Sequence, residues 1–518
     1  MSNATSHEDN YESRIFSVST VSNPRFDLFW PENVRPIRRL GGVTIPARRL
    51  YFLDFPLLFL SVGLLTWIFP TDTMLFVSSL VGGLVGLYAL WEVAIRRRPI
   101  RVSHFFCIAN VVGYGLGVLN SWLSITRGNL SLAEYFNRDP EAVAHAMAAV
   151  LISSGLLFSL GELFERPIFG QDFRLPLDNR AVLFALFGTA LIIVGYAIGE
   201  IGYMGGSDNG QHVSVLSGLI GWLFPTLFAF TCLCFLEWQK GMVKRLFGIL
   251  LAVQFVLIIP TGRRSLVYFI LLAIVATRFS SFRPKWSLPR KVVYAAILAV
   301  LIGVGAMVFY YLRYAAWGKQ KVSLADRISL ALALYESGNT AKVNQSLKEN
   351  IQKRTFVLGY VSDLLDASFR IEPAMGQNAL HEFQLAVPSF LWADKDAFLY
   401  GEENIANTTY HFAYKDEPNS IYSGGAIDFG IWGMILYPII ISILFRVTAE
   451  FARVTLPEVV ATVVILFLLF NALITESGLS TRFVAIRNSL LFSIFLWFFF
   501  KIPAFALTHK PQKGVLSQ

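Results

Sequence analysis

Arginine and histidine are the side chains here with chemistry to offer. Arg263 and Arg264 stand side by side in Thr261-Gly262-Arg263-Arg264-Ser265-Leu266, and Arg313 follows Tyr310-Tyr311-Leu312. Arg354 opens a helical pattern, and Arg482 and Arg487 stand between the last two apolar runs. A guanidinium stays charged and grips phosphate oxygens two at a time, so these residues suit an anionic ligand. His381 and His411 lie in the longest polar stretch and titrate near neutrality, which makes them candidate general bases. Each candidate also has a plain reading. Arg263, Arg264 and Arg313 serve equally as interfacial anchors, Arg482 and Arg487 as solvated loop residues, and Arg354 as a helix cap or a partner of Asp363 or Asp366. His104 and His145, inside apolar runs, read as satisfied bundle residues, and Asp54 and Glu92, near helix ends, as structural.

What positions these residues is a chain of apolar helices. Of 518 residues, 55% are hydrophobic and 15% charged, and apolar runs of about 20 residues, each long enough to cross hydrocarbon, recur along the chain. About twelve such spans are expected, which makes this an all-α polytopic membrane protein. Residues 1–50, with Pro24, Pro31, Pro36 and Pro46, form a polar cytoplasmic tail without a cleavable signal. Residues 51–313 carry the first nine spans, 314–425 a large loop, 426–503 three more spans and 504–518 a cytoplasmic C-terminal tail. The seventh span runs from about Leu246 to Pro260, the eighth from Ser265 to Phe279 and the tenth from Ala426 to Val447.

Charge supports this count. Alternate connections are basic, beginning with Arg96, Arg97, Arg98 and Arg101 and ending with Lys510 and Lys513, so both termini lie in the cytoplasm and the large loop lies outside. Positive charge on the outer side runs against that bias, and Arg263, Arg264, Arg313, Arg482 and Arg487 are the exceptions that an anionic ligand explains. The net charge of +9 belongs to orientation and implies no nucleic acid. Cys107, Cys232 and Cys234 fall inside apolar runs and form no disulfide framework. Within the loop, Ser323 caps a helix through Leu334, and Arg354 to Phe369 carries a stripe of Val357, Leu358, Val361, Leu364 and Leu365. The loop is therefore expected to be folded, mostly helical and packed on the bundle. No nucleotide-binding glycine loop and no carboxylate set that reads as a metal site is present, so no cofactor is expected.

This layout resembles the O-antigen polymerase (Wzy-type) and O-antigen ligase families, glycosyltransferases of the GT-C class. Thr261 to Leu266 is similar to their Ser-Gly-x-Arg stretch, with the family arginine on Arg264, and Arg313 matches in position the arginine after the ligases' ninth helix. Pro388 to Lys395 resembles the polymerases' Pro-Arg-x-Leu-Trp-x-x-Lys segment with Ser389 in place of the arginine, and Asp428 to Gly433 resembles their Phe-Gly-x-x-Gly helix entry. Where the ligases carry a His-Asn pair this chain has Pro418-Asn419. The resemblance implies a periplasmic loop between the ninth and tenth spans, in the bacterial inner membrane. It implies polymerisation of undecaprenyl-pyrophosphate-linked repeat units into a surface polysaccharide, beside a chain-length regulator and a flippase. The alternatives are a ligase that transfers polymer to lipid A-core, and a lipid or solute transporter. No internal repeat supports the transporter.

Overall fold

The computed structural model describes residues 39–40, 43–44, 54–94, 101–125, 131–168, 179–197, 215–238, 241–261, 263–277, 288–315, 324–337, 345, 357–388, 391–392, 401–414, 417–456 and 458–501. The described chain is helical apart from one two-residue antiparallel pairing, β1 (Arg39–Leu40) with β2 (Val43–Thr44). Its helices are α1 (Asp54–Ile68), α2 (Asp72–Leu80, continuing through a π turn at Val81–Val85 into Gly86–Ala94), α3 (Val102–Ser124), α4 (Leu132–Tyr135) and α5 (Pro140–Phe164). Then come α6 (Asn179–Ala197), α7 (Val215–Glu237), α8 (Met242–Ile258), α9 (Arg263–Thr277) and α10 (Leu288–Ala315). The loop contributes α11 (Leu324–Glu336), α12 (Leu358–Ser368), α13 (Gln377–Leu385) and α14 (Glu402–Tyr410), and the chain closes with α15 (Ile421–Thr455), α16 (Glu458–Leu473) and α17 (Leu479–Lys501).

Among the described residues, five stretches are long and apolar enough to cross a membrane: Asp72–Glu92, Val102–Leu123, Pro140–Phe164, Arg180–Ala197 and Ile421–Thr455. Their outward faces carry exposed Leu84, Phe187 and Ile440, the surface expected of a helix bathed in hydrocarbon. α7, α9 and α16 contribute further apolar helix but sit inside, where Phe224, Phe269 and Phe470 stack edge to face. α9 starts at Arg263, two residues earlier than apolarity alone suggests, because its first turn is polar.

The loop is not a separate body. The stripe anticipated on α12 is buried, with Leu358, Val361, Leu364 and Leu365 sharing one core with Val143, Met147, Val150 and Leu151 of α5. Arg138, just before α5, holds the Asp363 carboxylate at 3.1 Å, and the Tyr414 hydroxyl donates to the same group. Ser323 and 351–356 lie outside the described residues. At the opposite end of the bundle, Glu165 caps α3 through the Val102 and Ser103 amides at 2.7 and 3.1 Å, while Arg101 pairs with Glu162 at 2.7 Å and Arg446 with Glu450 at 3.0 Å.

α15 departs from the sequence reading. The tenth span is expected to start at Ala426, yet helix begins at Ile421 and breaks at Phe429 (φ −144, ψ 21) and Gly430 (φ 56, ψ −135). A Cβ on Gly425 would stand 2.4 Å from the Gly433 carbonyl carbon, so 421–428 folds back against 431–455 as a tight helical hairpin. Only glycine accepts the φ of Gly430 without strain, and only glycine permits the backbones to touch at 425 and 433. Three carbonyls at the break are taken up by other segments. Tyr410 donates to Ala426 and Ile427, and the Ala374 and Met375 amides donate to Ile427 and Asp428, each at 2.9 Å.

Candidate functional site

The hairpin carries polar side chains into the bundle. Ser420 caps segment 421–428 in a box with Ser423 and accepts a hydrogen bond from Tyr114, halfway along α3, at 2.8 Å. The Tyr422 hydroxyl lies 3.2 Å from Ser154, in the middle of α5. The α16–α17 connection is sunk to a comparable level, where Thr475 donates to Ala109 of α3 at 2.9 Å. Non-helical backbone so deep in a bundle is tolerated where protein surrounds it or where it lines a site.

Three helix N-termini meet there, each with a carboxylate nearby. Asp428 accepts from the Asn378 and Ala379 amides at 2.9 and 2.8 Å and from Tyr437 at 2.7 Å, which caps α13. Glu382, on α13, accepts from the Ser480 amide at 2.7 Å and caps α17. Glu402, at the start of α14, is 1% exposed and lies against Gly478, whose added Cβ would be 3.4 Å from its Oε2. Neither Glu402 oxygen has a hydrogen-bond partner of good geometry among the described residues. Ser423 is near, but its hydroxyl donates to the Ser420 carbonyl at 2.9 Å.

Burial, and after it the charge of Glu382, pushes the Glu402 carboxyl well above the ordinary carboxylate range. With the folded pKa above the unfolded one, the native state holds its proton while the unfolded chain releases it. Stability therefore falls as pH rises past the ordinary carboxylate pKa, by at most about 1.4 kcal/mol per pH unit, until the folded pKa is reached. Glu402→Gln is expected to remove that slope and to raise the thermal midpoint above pH 5. Parallel pH–melting curves for the two proteins would refute a protonated, buried Glu402.

One helical turn into α17, Arg482 is 1% exposed. Its Nη2 donates to the Ile474 carbonyl and its Cζ stands 5.5 Å from the Phe106 ring centroid, yet Nε and Nη1 have no partner. No described carboxylate pairs with it. A buried guanidinium with two idle donors is poised for an anion, since its desolvation is otherwise uncompensated.

The other sequence candidates fall variously. Arg487 donates to the Ala386 carbonyl at 2.5 Å and to Asn488, which ties α17 to the C-terminus of α13. His381 is half-buried beside Glu382, and His411 is exposed in a left-handed turn (φ 58) that ends α14. Arg263 and Arg264 open α9 and Arg313 lies near the end of α10, but their side chains lie outside the described residues, as do Arg354 and residues 393–400. By helical register Arg264 precedes Tyr268 by four residues, one turn along the same face of α9. His104 stacks on Phe158 at 4.3 Å with Glu162 3.0 Å from its Nε2, and His145 bonds the Trp67 carbonyl at 3.2 Å.

Glu382 and Glu402 are not apparent from the sequence. Each is an ordinary acid on a short helix, and Glu402 in a first turn reads as dipole complementation. The one available signal was Gly478 just before an apolar helix, a small residue where another chain segment approaches closely. Fold and site together define an all-α membrane protein whose loop helices complete a buried polar centre inside the bundle. No family model, no curated protein and no solved structure matches this chain.

Proposed function

We propose that this protein polymerises undecaprenyl-pyrophosphate-linked oligosaccharide repeat units at the periplasmic face of a bacterial inner membrane. In this reading about twelve helices span the membrane, both termini are cytoplasmic and the loop helices face the periplasm. The observation that carries it is Arg482, a buried cation whose free donors match a pyrophosphate leaving group. The reaction joins an acceptor sugar hydroxyl to the anomeric carbon of the donor glycan. The anomeric C–O bond breaks, the lipid pyrophosphate departs with both electrons, and the hydroxyl proton goes to a base. Arg482 meets the charge that develops on the leaving oxygen. The loop histidines His381 and His411 are the candidate bases, and Glu402, which holds its proton, stands beside the α17 N-terminus that also carries Arg482.

Deleting the gene and resolving the surface glycolipid on a gel tests the activity. Loss of a polymerase leaves core capped by one repeat, whereas loss of a ligase leaves bare core. A broken helix with its N-terminus inside the bundle is also a transporter feature, and an unchanged ladder would favour that reading and sink the polymerase.

A further inference from the structure

α13 lies deeper than a loop helix resting on the outer end of the bundle. Two segments that reach the middle of spans fix its depth. Tyr422, at the start of the hairpin, meets Ser154 in the middle of the Pro140–Phe164 stretch, and the helix from Tyr422 to Asp428 then rises by at most about 9 Å. Thr475 bonds to Ala109 and crowds Gly113, whose added Cβ would stand 2.1 Å from its hydroxyl, in the middle of the Val102–Leu123 stretch. Ser480 follows Thr475 after a tight turn. α13 is pinned to both segments. Its first amides, at Asn378 and Ala379, donate to Asp428, and Glu382 caps Ser480. Further along, Phe383 packs edge to face on Phe483 at 5.4 Å, and the Ala386 carbonyl accepts from Arg487. These partners advance together, 382 to 386 beside 480 to 487, so α13 runs parallel to α17 and descends with it into the bundle. Half of a hydrocarbon core is about 15 Å thick, which places α13 inside one leaflet.

The exposed side chains of α13 match that depth. Leu380 and Phe383, one turn apart, are 55% and 57% exposed, whereas Glu382 is buried and His381 half-buried. Upstream, Arg370 and Glu372 are exposed and mark the water side. Between them and α13, Met375 opens an apolar surface that passes over Phe429, 3.4 Å from an added Cβ on Gly376, to Trp432, Leu436 and Ile440 on the outward face of α15. The outer edge of α13 is therefore continuous with the apolar face of a candidate span.

We propose that α13 is a re-entrant helix whose Leu380–Phe383 edge faces the acyl chains of the bilayer, so that it walls the polar centre off from lipid at its side instead of roofing it from water. Non-helical entry and exit at such depth is tolerated because the inner side of α13 is packed on protein and its first amides are capped by Asp428. On the topology of the proposed function the leaflet is the periplasmic one, but the depth of α13 does not rest on that reading. Full-length protein in phosphatidylcholine nanodiscs, spin-labelled through Leu380→Cys or Phe383→Cys, tests it. The measurement compares relaxation by oxygen, which concentrates in hydrocarbon, with relaxation by a water-soluble nickel chelate. Wild type gives the labelling blank, since its Cys107 and Cys234 are buried and Cys232 half-buried. Leu436→Cys, on the outward face of α15, is the lipid standard, and Arg370→Cys, whose native side chain is 69% exposed, is the water standard. Both α13 labels are expected to group with Leu436→Cys, reached by oxygen and shielded from nickel. Leu380→Cys carries the test if loss of the Phe383–Phe483 contact disturbs folding. Labels that group with Arg370→Cys put α13 in water, and labels reached by neither reagent put it under protein; either result overturns the assignment. Polymer synthesis does not enter this readout, so the polymerase reading and the re-entrant helix fail separately.

Discussion

Arg482→Met is expected to leave the protein folded, with a thermal midpoint unchanged or raised, and to lower polymer synthesis by about 10²-fold or more. The two effects have opposite signs because they report different states. In the resting fold the guanidinium is desolvated, 1% exposed, and gains only the Ile474 carbonyl and the Phe106 face. Replacing a buried ion by an apolar side chain of similar length is often neutral, or stabilising by about 1–4 kcal/mol. On the proposed function, the same group would face a departing pyrophosphate in the transition state, and its loss would remove a preorganised donor from a dry site. Arg482→Lys keeps the charge without the planar fork and is expected to fall between wild type and Met. Thermal unfolding in detergent and the chain-length ladder from isolated membranes measure both sides. A Met variant that unfolds, or one that polymerises normally, would make Arg482 a structural pin.

The largest expected loss of stability is at Gly433. A Cβ there would lie 2.0 Å from the Gly425 carbonyl oxygen and 2.6 Å from its carbon. These are backbone atoms on both sides, so no rotamer relieves the clash and the hairpin arms must part. Gly433→Ala is expected to destabilise the protein by about 3 kcal/mol or more, beyond the usual range of single substitutions. Gly303→Ala in α10 is the control, because nothing lies within 4 Å of its added Cβ and a helical alanine gains about 0.5–1 kcal/mol over glycine. Equal melting of the two variants would mean that 421–428 is not docked on 431–455. Hairpin opening also withdraws Ser420 and Ser423 from the polar centre, so Gly433→Ala is expected to be inactive before it is fully unfolded.

The loop helices were legible because amphipathic periodicity is local: Leu358, Val361, Leu364 and Leu365 announce a buried face whatever they pack against. The hairpin was not. Segment 421–430 reads Ile-Tyr-Ser-Gly-Gly-Ala-Ile-Asp-Phe-Gly, a glycine-rich entry to an apolar run, and its reversal depends on contact between Gly425 and Gly433. Turn chemistry alone favours no such close approach. Arg482 and Arg487 show the same limit. They stand five residues apart with the same side chain, yet one is a buried cation with two idle donors among the described residues and the other a helix-capping donor. Charge bias marks both as unusual, and only packing separates them.

By itself, then, the sequence determined the helical character, the apolar surfaces suited to a membrane, a folded loop and a short set of arginines worth testing. These follow from composition and periodicity, which are properties of neighbours along the chain. The tertiary structure decided which arginine is buried with idle donors and no carboxylate among the described residues, and that Glu402 and Glu382 meet the α17 N-terminus. Desolvation and unsatisfied hydrogen-bonding capacity are set by what arrives from distant segments, and no local pattern encodes them.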